Sequence, residues 1–510
     1  MSSKLICLAF LVQISFNCAY VSIQDPSDYV DLSKDTLDNA IKADYSPAPV
    51  SYLPSPLKTE YLFNGSQTYM SLKQQTYSSS ANDTSVLIIA NGAQLNLSYS
   101  NIFKTGYSSN LILASFFGMN AAINVQNGSR SYFDHLNITT HNGAANIYSY
   151  GNNSYVYIEN SVLYSSGPTA HGLYAGGYGT AVGKNIGHYS GGNRCSSFAG
   201  DSPAGYVMIE NAVAHTSGIG SAIFYALGTI DATNVYGYAE NSPILFSDGP
   251  QVSTLKNCDL TAGLLAGTIL FSSMVRRTGA YLTIMDSKIT TLGSTMPALW
   301  FGNIIATVYL QNTRISTKSG ILVVSNYSQV TQEFNYFAGY ADNSNLSPAS
   351  ANIFVSQCNF EGDLVAYNKS NITWALYEYS TWTGKAYSGY DDSYISVYLD
   401  TTSKWYLTGN TVLQNLTTLN NNVSVIYSNG FNVTYDSASP ANSWLNNATI
   451  LLNGGGILMP NTGQRYTYST SLSPTANTTI TTTITSSSNY HLHFLQIELV
   501  FFSLICLFSF

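Results

Sequence analysis

Charge is scarce in this 510-residue chain, and basic charge is the scarcer sign. Only 9% of the residues are Asp, Glu, Lys or Arg, with 19 basic against 27 acidic side chains and a formal net charge of -8. A protein that binds nucleic acid or an anionic membrane surface presents a dense basic patch, and this sequence contains none. Nucleic acid is therefore excluded as a partner. No cofactor is expected either, because no Gly-rich phosphate loop stands between a strand and a helix.

Cysteine is also rare, and three of the six cysteines lie in the two apolar ends of the chain. Cys195, Cys258 and Cys358 remain, and an odd number argues against a disulfide scaffold. Cys258 and Cys358 each follow a residue of the repeated position described below, so we expect them in one column about four rungs apart. That separation is too large for a disulfide bridge. The pairing of Cys195 stays open.

The two ends have the composition of processing signals. Residues 1–19 contain a lysine and then the short apolar run LICLAFLVQISF, as a cleaved secretory signal peptide does. Residues 490–510 form an apolar run behind the Ser/Thr-rich tract 466–489. This is the arrangement of a GPI-anchor signal, with attachment expected within 486–489, and a true tail anchor is the alternative. The predicted location is extracellular, at the cell surface or cell wall, with a GPI lipid as the only link to the membrane.

N-glycosylation sequons support an extracellular location. Fifteen Asn-x-Ser/Thr triplets occur, yet none begins between residues 153 and 325. Either the turns of this central stretch pack too tightly for a glycan, or the stretch presents a bare contact surface. The sequon asparagines are Asn64, Asn82, Asn96, Asn127, Asn137, Asn152, Asn326, Asn345, Asn368, Asn371, Asn415, Asn422, Asn432, Asn447 and Asn477.

A repeated phrase defines the fold. IENSVLYSSG begins at Ile158 and IENAVAHTSG begins at Ile209, and both belong to a series of alternating segments that end in a small amide or acid. The end residues recur at 23 positions or near multiples of that spacing, and a period of 20–30 residues with one strand in register marks a solenoid. The series is Asn160, Asn211, Asn234, Asn257, Asp286, Asn312 and Gln357.

Each period contains short segments rich in Val, Ile, Tyr and Thr, separated by Gly, Ser and Asn. No stretch has apolar residues at helical spacing. We therefore predict an all-β fold, a parallel β-helix of three sheets with about 23 or more residues per rung. Val156 and Ile158 should point inward and Tyr157 outward, with the same alternation in the other rungs.

The end asparagines are expected to stack at one corner of the solenoid as a structural Asn ladder. Their amides would bond to one another and to turn backbone that the bend otherwise buries unpaired. The five tryptophans all lie in the second half of the chain and are expected to stack along the columns of the solenoid. The ladder residues are Asn160, Asn211, Asn234, Asn257 and Asn312.

Composition divides the chain into five parts. The signal peptide 1–19 is followed by a Pro-rich leader at 20–85, which is expected to cap the first rung. The parallel β-helix spans 86–465. A Ser/Thr-rich stalk at 466–489, O-glycosylated and without regular structure, precedes the hydrophobic anchor signal at 490–510.

Seven stretches carry a family resemblance that extends from about Tyr155 to Pro460: FAGDSPAG, SAIFYALG, ENSPILFSDGP, GLLAGTILFSS, PALWFGN, TSKWYLTGNT and GGGILMP. They are similar to stretches of secreted, GPI-anchored, adhesin-like proteins of fungi. The resemblance implies a right-handed parallel β-helix at the cell surface. It supplies no catalytic residues to carry over.

Charged residues offer one candidate binding cluster, formed by Asp248, Arg276 and Arg277. Asp248 and Asp201 are about two rungs apart, and the two arginines follow Asp248 by about one rung. Under the alternative interpretation the two aspartates begin or cap turns, and the arginines are solvated or paired with them.

No catalytic or metal constellation is predicted. The pectin-hydrolase series Asn-Thr-Asp, Asp-Asp, Gly-His-Gly and Arg-Ile-Lys fails, since His171 precedes Arg314, Asp391 comes last and the first motif is missing. The histidines show no zinc-like spacing.

The favoured function is that of a glycosylated cell-surface or cell-wall protein, structural or adhesive, that contacts wall polysaccharide or surface glycans as a monomer. An enzyme is the less favoured alternative. It would be a polysaccharide lyase or glycoside hydrolase on the same scaffold, with the paired carboxylates that glycoside hydrolysis requires.

Overall fold

The computed structural model describes eight stretches of the chain, all of them within one compact unit. These stretches are 57–108, 111–142, 145–201, 204–272, 275–326, 347–366, 369–387 and 393–461. Within them the chain forms a parallel β-solenoid in which most rungs add one strand to a first sheet, sheet A, and one or two strands to a second, sheet B. None of the helices in these stretches is long and apolar enough to cross a membrane.

Sheet A is the longest uninterrupted stack, with thirteen parallel strands that extend over about 58 Å at the usual strand spacing. Its strands are Lys58–Asn64, Thr84–Ala90, Ile123–Gln126, Ile147–Tyr150, Leu173–Gly176, Phe198–Gly200, Phe224–Ala226, Leu245–Asp248, Thr268–Phe271, Leu299–Gly302, Ile321–Asn326, Asp363–Ala366 and Ala386–Tyr387.

Sheet B wraps around the remaining sides of most rungs. Its strands are Tyr69–Lys73, Thr76–Ser79, Gln94–Ser98, Asn101–Lys104, Arg130–Asp134, Asn137–Thr140, Tyr155–Ser165, Thr180–Ser190, Tyr206–Thr216, Thr229–Ala239, Val252–Lys256, Asp259–Ala262, Arg277–Met285, Lys288–Thr291, Ile304–Gln311, Arg314–Thr317, Ser350–Ser356, Asn371–Tyr377, Tyr394–Leu399 and Asn415–Thr418. In the four 11-residue strands the chain crosses a corner without leaving the sheet.

Two four-stranded sheets complete the last rungs. Sheet C consists of Asn359–Glu361, Thr381–Thr383, Lys404–Tyr406 and Ile426–Tyr427, and sheet D of Thr411–Leu413, Val433–Asp436, Ile450–Leu451 and Ile457–Asn461. In sheet D, Ile450–Leu451 pairs antiparallel with Ile457–Asn461. Short 3-10 turns at Leu419–Asn421, Val423–Val425 and Pro440–Leu445 lie between these strands.

The alternation predicted from the sequence is confirmed. Val156 and Ile158 are buried, whereas Tyr157 between them is partly exposed. Val207 and Ile209 are buried around the exposed Met208 two rungs away. Because strand side chains alternate between faces, an apolar residue at every second position packs a continuous interior as rungs stack in register.

The solenoid begins earlier than composition suggested. The strand Lys58–Asn64 pairs in parallel with Thr84–Ala90, so residues 58–83 form the first described rung and not a leader before it. The alternating, proline-free pattern from Lys58 onward is the sequence signal for this rung, and the predicted boundary at 86 did not take it into account. The last described strand ends at Asn461, and 466–489 and 490–510 lie outside the described residues, as do 1–19 and 20–56.

Within the described stretches a short α-helix interrupts the all-β architecture, although no helical spacing is evident in the sequence. Leu111–Phe117 is a seven-residue helix held by polar side chains of sheet A. The hydroxyl of Tyr148 donates to the Ser115 carbonyl over 3.1 Å, and Asn124 Nδ2 donates to the Phe117 carbonyl over 3.0 Å. These tertiary bonds stabilise a segment too short to be helical alone.

Beyond its largely exposed first strand, Lys58–Asn64, sheet A is buried on both faces over most of its length. The strands Thr84–Ala90, Thr268–Phe271 and Leu299–Gly302 are buried at every position, as is typical of parallel sheets with both faces covered. Phe246, Ile269 and Trp300 belong to a second apolar cluster that is distinct from the interior of the solenoid. A period-two pattern does not predict this second layer.

The register corrects the predicted separation of two cysteines. The strands Ile304–Gln311 and Ser350–Ser356 are direct neighbours, so the 45 residues from Asn312 to Gln357 make one long rung and not two. Cys258 and Cys358 do share a column, but they are three rungs apart. Both thiols, and that of Cys195, are buried and unbridged.

Three of the five tryptophans stack inside the solenoid as predicted, whereas Trp300 belongs to the second apolar cluster and Trp444 is half-buried. Trp374, Trp382 and Trp405 are fully buried, and the rings of Trp382 and Trp405 lie parallel with centroids 4.7 Å apart. Each of these last two indoles donates its N–H to a glycine carbonyl, at 2.8 and 2.9 Å. Since these rings are buried, they offer no surface for a sugar.

Candidate functional site

The predicted Asn ladder exists, but its continuous part contains Asn185, which the spacing did not predict, and ends at Asn257 before Asn312. Asn185 Nδ2 donates to Asn160 Oδ1 over 2.9 Å, Asn211 Nδ2 to Asn185 Oδ1 over 3.2 Å, and Asn234 Nδ2 to Asn211 Oδ1 over 2.9 Å. Asn257 continues the chain by donating to Asn234. Five consecutive rungs thus carry one asparagine each at the same corner.

The chain of amide-to-amide hydrogen bonds ends where an aspartate replaces the asparagine. The Asp286 side chain has no N–H to donate to Asn257, although it accepts from Asn312 Nδ2 over 2.8 Å. At the other end Asn160 donates to Asp134 Oδ1 over 3.0 Å. A carboxylate can only accept these hydrogen bonds, so aspartates lie at the two ends of the run. Asparagines, which both donate and accept, occupy the rungs between them.

Asn185 is absent from the predicted series because it does not lie 23 residues from a neighbouring ladder asparagine. The steps on either side of it are 25 and 26 residues long, and together they make the 51-residue gap between the two repeated phrases. The signal was present, since the segment VGKNIGHYS ending at Ser190 aligns with both phrases around its asparagine.

The orientation of the ladder differs from the prediction. Its asparagines are exposed to solvent and adopt left-handed φ values of 45° to 57°. Corner backbone groups pair with the next rung directly: the amide of Asn257, for example, donates to the Met285 carbonyl over 3.0 Å. The prediction that ladder amides satisfy buried turn backbone is therefore wrong. Asparagine is present because it tolerates the left-handed region better than most residues.

A shallow groove runs beside the ladder over four rungs. One side consists of ladder asparagines, and the other of outward side chains two to four residues later in the same rungs. Gly187 lacks a side chain and deepens the groove, and a Cβ added there would have its nearest neighbouring atom 3.8 Å away. The lining residues are Asn185, Ile186, Gly187, Tyr189, Asn211, Ala212, Val213, Asn234, Val235, Tyr236, Asn257 and Asp259.

Exposed apolar and aromatic side chains line this groove. Tyr236 is 60% exposed, Val213 46% and Tyr189 45%. Single exposed apolar residues are ordinary, but here three of them lie on adjoining rungs at one corner of the solenoid. Tyrosine presents a flat apolar ring together with a hydroxyl, which suits contact with a partly hydrated ligand.

The groove carries little charge. Asp259 is the one ionisable group other than tyrosine among its described lining residues, and Lys288 Nζ lies 3.3 Å from its carboxylate. Close by, Lys184 Nζ lies 3.5 Å from Glu210 Oε1, and His215 Nε2 lies 2.7 Å from Glu240 Oε1. These charges are arranged as opposite pairs, whereas Lys256, in the same column as Lys184 and Glu210, is an exposed cation beside the ladder residue Asn257.

The predicted charged cluster lies at another corner. Asp248 ends a strand of sheet A and is half-buried, and Arg277 begins a strand of sheet B and is exposed. Asp248 pairs in register with Phe271, which places it one rung from Arg276 and Arg277 as expected. The ladder groove lies at the far end of the sheet B strands, and none of the three residues lines it.

Asp201 is part of the protein interior. It is buried, and the hydroxyl of the fully buried Tyr174 donates to its carboxylate. Tyr148 stacks on Tyr174 with ring centroids 4.3 Å apart. Burial, with the nearby carboxylate of Asp201, raises the pKa of Tyr174 well above its ordinary value.

Two histidines are buried in the same central rungs. His188 lies between two serine hydroxyls, with Nδ1 2.8 Å from Ser197 Oγ and Nε2 3.2 Å from Ser165 Oγ. Burial, aided by nearby His171, lowers the pKa of His188 to about 3. Burial lowers the pKa of His171 to about 4. Within the described stretches no group of three or more His, Cys, Asp or Glu side chains could hold a metal ion.

The sequon asparagines differ in accessibility. Asn326 is only 2% exposed, and Asn345, Asn368 and Asn477 lie outside the described residues. Asn96, Asn371, Asn415 and Asn432 are half-buried. The exposed ones are Asn64, Asn82, Asn127, Asn137, Asn152, Asn422 and Asn447.

The rungs without sequons have tightly packed turns. A Cβ added to Gly192 would lie 2.0 Å from the Gly167 carbonyl oxygen, and one added to Gly218 would lie 1.8 Å from that of Gly192. Tight turn packing is thus present in this stretch. The ladder corner of the same rungs is open, so packing does not explain the bare groove.

No protein-family model, curated protein or solved structure matches this chain. The fold is that of a parallel β-solenoid, and its function has to be inferred from the surface described above.

Proposed function

We propose that the protein is an extracellular, cell-surface solenoid that binds glycans through the groove beside its Asn ladder. The observation that carries this proposal is the coincidence of three features on the same rungs. These are exposed tyrosines, a row of exposed amides and the absence of sequons between residues 153 and 325.

The chemistry of the groove suits a sugar. Tyrosine rings pack against the C–H face of a pyranose, and amides donate to and accept from hydroxyls. A glycan attached to the protein at this position would occupy the same space as the ligand. A surface that must stay bare for contact therefore gains from lacking sequons, whereas the rungs on either side carry several.

The proposed setting follows from the two ends of the sequence. A signal peptide at 1–19 would direct secretion, and a GPI signal at 490–510 would retain the protein at the membrane or wall. The stalk at 466–489 would hold the solenoid away from the lipid. Wall polysaccharide or the surface glycans of another cell would then be the adhesive partner.

Binding without cleavage is the favoured activity. Glycosidases use two carboxylates across the scissile bond, and the described groove lining contains one, Asp259, next to Lys288. A polysaccharide lyase or glycoside hydrolase remains the alternative, and release of products from a polysaccharide would favour it.

The test is a co-sedimentation assay of the purified protein with a panel of neutral and acidic polysaccharides, combined with a reducing-end assay for cleavage. We expect binding without product, and a loss of binding when Tyr189 and Tyr236 are both changed to Ala. Tyr281→Ala is the matched control, because Tyr281 is similarly exposed on the other side of the corner. Binding that survives the double change, or is lost equally in the control, would remove the groove from the proposal.

A further inference from the structure

The amides of the ladder have unused hydrogen-bonding capacity that repeats along the solenoid. A primary amide has two N–H donors and an oxygen with two lone pairs. In Asn211 and Asn234 one N–H goes to the preceding asparagine and one lone pair accepts from the next. One donor and one acceptor per rung are left on exposed side chains.

This pattern selects for hydroxyl groups over ionised groups. A hydroxyl both donates and accepts, so it satisfies the free N–H and the free lone pair of neighbouring rungs. A carboxylate or phosphate only accepts, so it would leave the amide oxygens unmatched. An ammonium group only donates and would leave the N–H groups unmatched.

The charge around the groove also disfavours a charged ligand. The described lining contains no Lys, Arg or His. Of the nearby cations, Lys184 and Lys288 each lie beside a carboxylate, and the exposed Lys256 next to Asn257 is the exception. The whole chain has a formal net charge of -8, which repels polyanions at low salt.

The groove is straight and repeats at the strand spacing. Ladder residues on successive rungs are about 4.8 Å apart, so the four rungs from Asn185 to Asn257 extend over about 14 Å. A sugar ring with its linkage is close to one rung in length. Only an extended, ribbon-like chain keeps successive rings beside successive rungs, since a coiled polysaccharide leaves the groove after one or two units.

We infer that the ligand is an uncharged, extended polysaccharide that lies parallel to the solenoid axis, with about one sugar unit per rung over four rungs. Asn185, Asn211, Asn234 and Asn257 contact its hydroxyls, while Tyr189 and Tyr236 stack on its rings. This inference rests on the proposed function and specifies the class and direction of the ligand.

Titration calorimetry with purified oligosaccharides tests it. The probes are β-1,4-linked gluco-, manno- and N-acetylglucosamine oligomers and β-1,3-linked gluco-oligomers of two to six units, with oligogalacturonates as the acidic series. We expect the affinity for at least one neutral series to rise about tenfold or more from two to four units. It should then level off at five and six units, because the groove ends after four rungs.

A variant of the ladder provides the second arm. Asn211→Asp keeps a residue that tolerates the left-handed backbone but removes both N–H donors, so we expect a loss of affinity of about tenfold or more for the tetramer. Met208→Asp is the matched control, because it adds the same charge to an exposed position of the same strand outside the groove. The control should bind like the unmodified protein.

The outcomes separate this inference from the proposed function. Equal affinity for two and six units, preference for oligogalacturonates, or an unaffected Asn211→Asp variant would each overturn the inference while polysaccharide binding in the sedimentation assay persisted. Absence of binding to every polysaccharide and every oligomer would overturn both.

Discussion

Asparagine occupies the ladder for a backbone reason first and a side-chain reason second. Asn234 has φ 56°, in the left-handed region that β-branched residues avoid. Its amide also makes the ladder bonds to Asn211 and Asn257. Because these bonds are exposed, water competes for them, and we assign the larger contribution to the backbone conformation.

Two substitutions at Asn234 separate these contributions. Asn234→Gly keeps the left-handed backbone and loses only the amide bonds, so we expect a loss of about 1 kcal/mol or less in the free energy of unfolding. Asn234→Val loses the same bonds and adds strain of about 1–2 kcal/mol. Urea unfolding measures both. Equal stability of the two variants would contradict the larger contribution assigned to the left-handed backbone conformation.

The buried histidines predict how stability depends on pH. The pKa values of His171 and His188 are lowered to about 4 and about 3 by burial, whereas an unfolded histidine titrates near 6.5. Below pH 6.5 the unfolded chain binds protons that the folded chain refuses, so the free energy of unfolding falls as pH drops from about 6.5 towards 4. Above pH 7 these two residues have no effect on the slope.

Urea titrations at several pH values between 4 and 7.5 measure this dependence. Each histidine adds up to about 1.4 kcal/mol per pH unit to the slope. His188→Asn should therefore flatten the curve below pH 6.5, even though it lowers the absolute stability. An unchanged slope would show that His188 takes up its proton at the same pH in the folded and the unfolded protein.

The cysteine thiols are expected to be inert. Burial raises the pKa of Cys195 to about 12 and those of Cys258 and Cys358 to about 11, and the thiolate is the reactive form. We expect none of the three to react with a thiol reagent in the native protein and all three to react in denaturant. Rapid labelling of Cys195 without denaturant would place it at a reactive surface instead.

Among the elements, turns in which one backbone packs directly on another accept fewer residue types than the strands do. Gly218 packs against Gly192 with no room for a Cβ, while Gly187 in the neighbouring strand is open. Gly218→Ala should therefore cost about 1–3 kcal/mol through overpacking, and Gly187→Ala should be nearly neutral. Thermal unfolding of the two variants gives the comparison, and equal melting temperatures would contradict the packing of these turns.

The alternating strands and their spacing could be predicted from the sequence because period two and a recurring asparagine are local signals. Ile158 and Ile209 were placed correctly on this basis. The outward direction of the ladder could not be predicted, since a single left-handed residue at Asn160 shifts the alternation by one position. The helix Leu111–Phe117 and the long rung before Gln357 depend on tertiary packing that has no periodic signature.

On the scale of the whole molecule, the site was harder to predict than the fold. The sequence indicates Asp248, Arg276 and Arg277 as a candidate binding cluster only because charged residues are rare in this chain. The groove depends on residues that are ordinary one by one, such as Gly187, and it becomes visible only when several rungs are aligned. The sequon gap pointed to the rungs that carry the groove but could not select one face of them.

The GPI signal leads to a prediction for the whole protein. If residues 490–510 are exchanged for a lipid, phosphatidylinositol-specific phospholipase should release the protein from intact cells, provided that the lipid is a sensitive type. Mass spectrometry of the C-terminal peptide provides the check. Retention of Phe510 in the mature protein would contradict the anchor.

A glycan placed inside the groove tests whether polysaccharide contacts this surface. Val213→Asn with His215→Thr creates a sequon at an exposed position between Tyr189 and Tyr236, and Tyr281→Asn creates one outside the groove, because Thr283 is already present. Val213→Gln with His215→Thr controls for the substitutions alone. With glycan occupancy and folding confirmed, we predict that polysaccharide binding is abolished by the glycan at 213 and unchanged by the glycan at 281. Full binding with a glycan at 213 would show that the groove is not the contact surface.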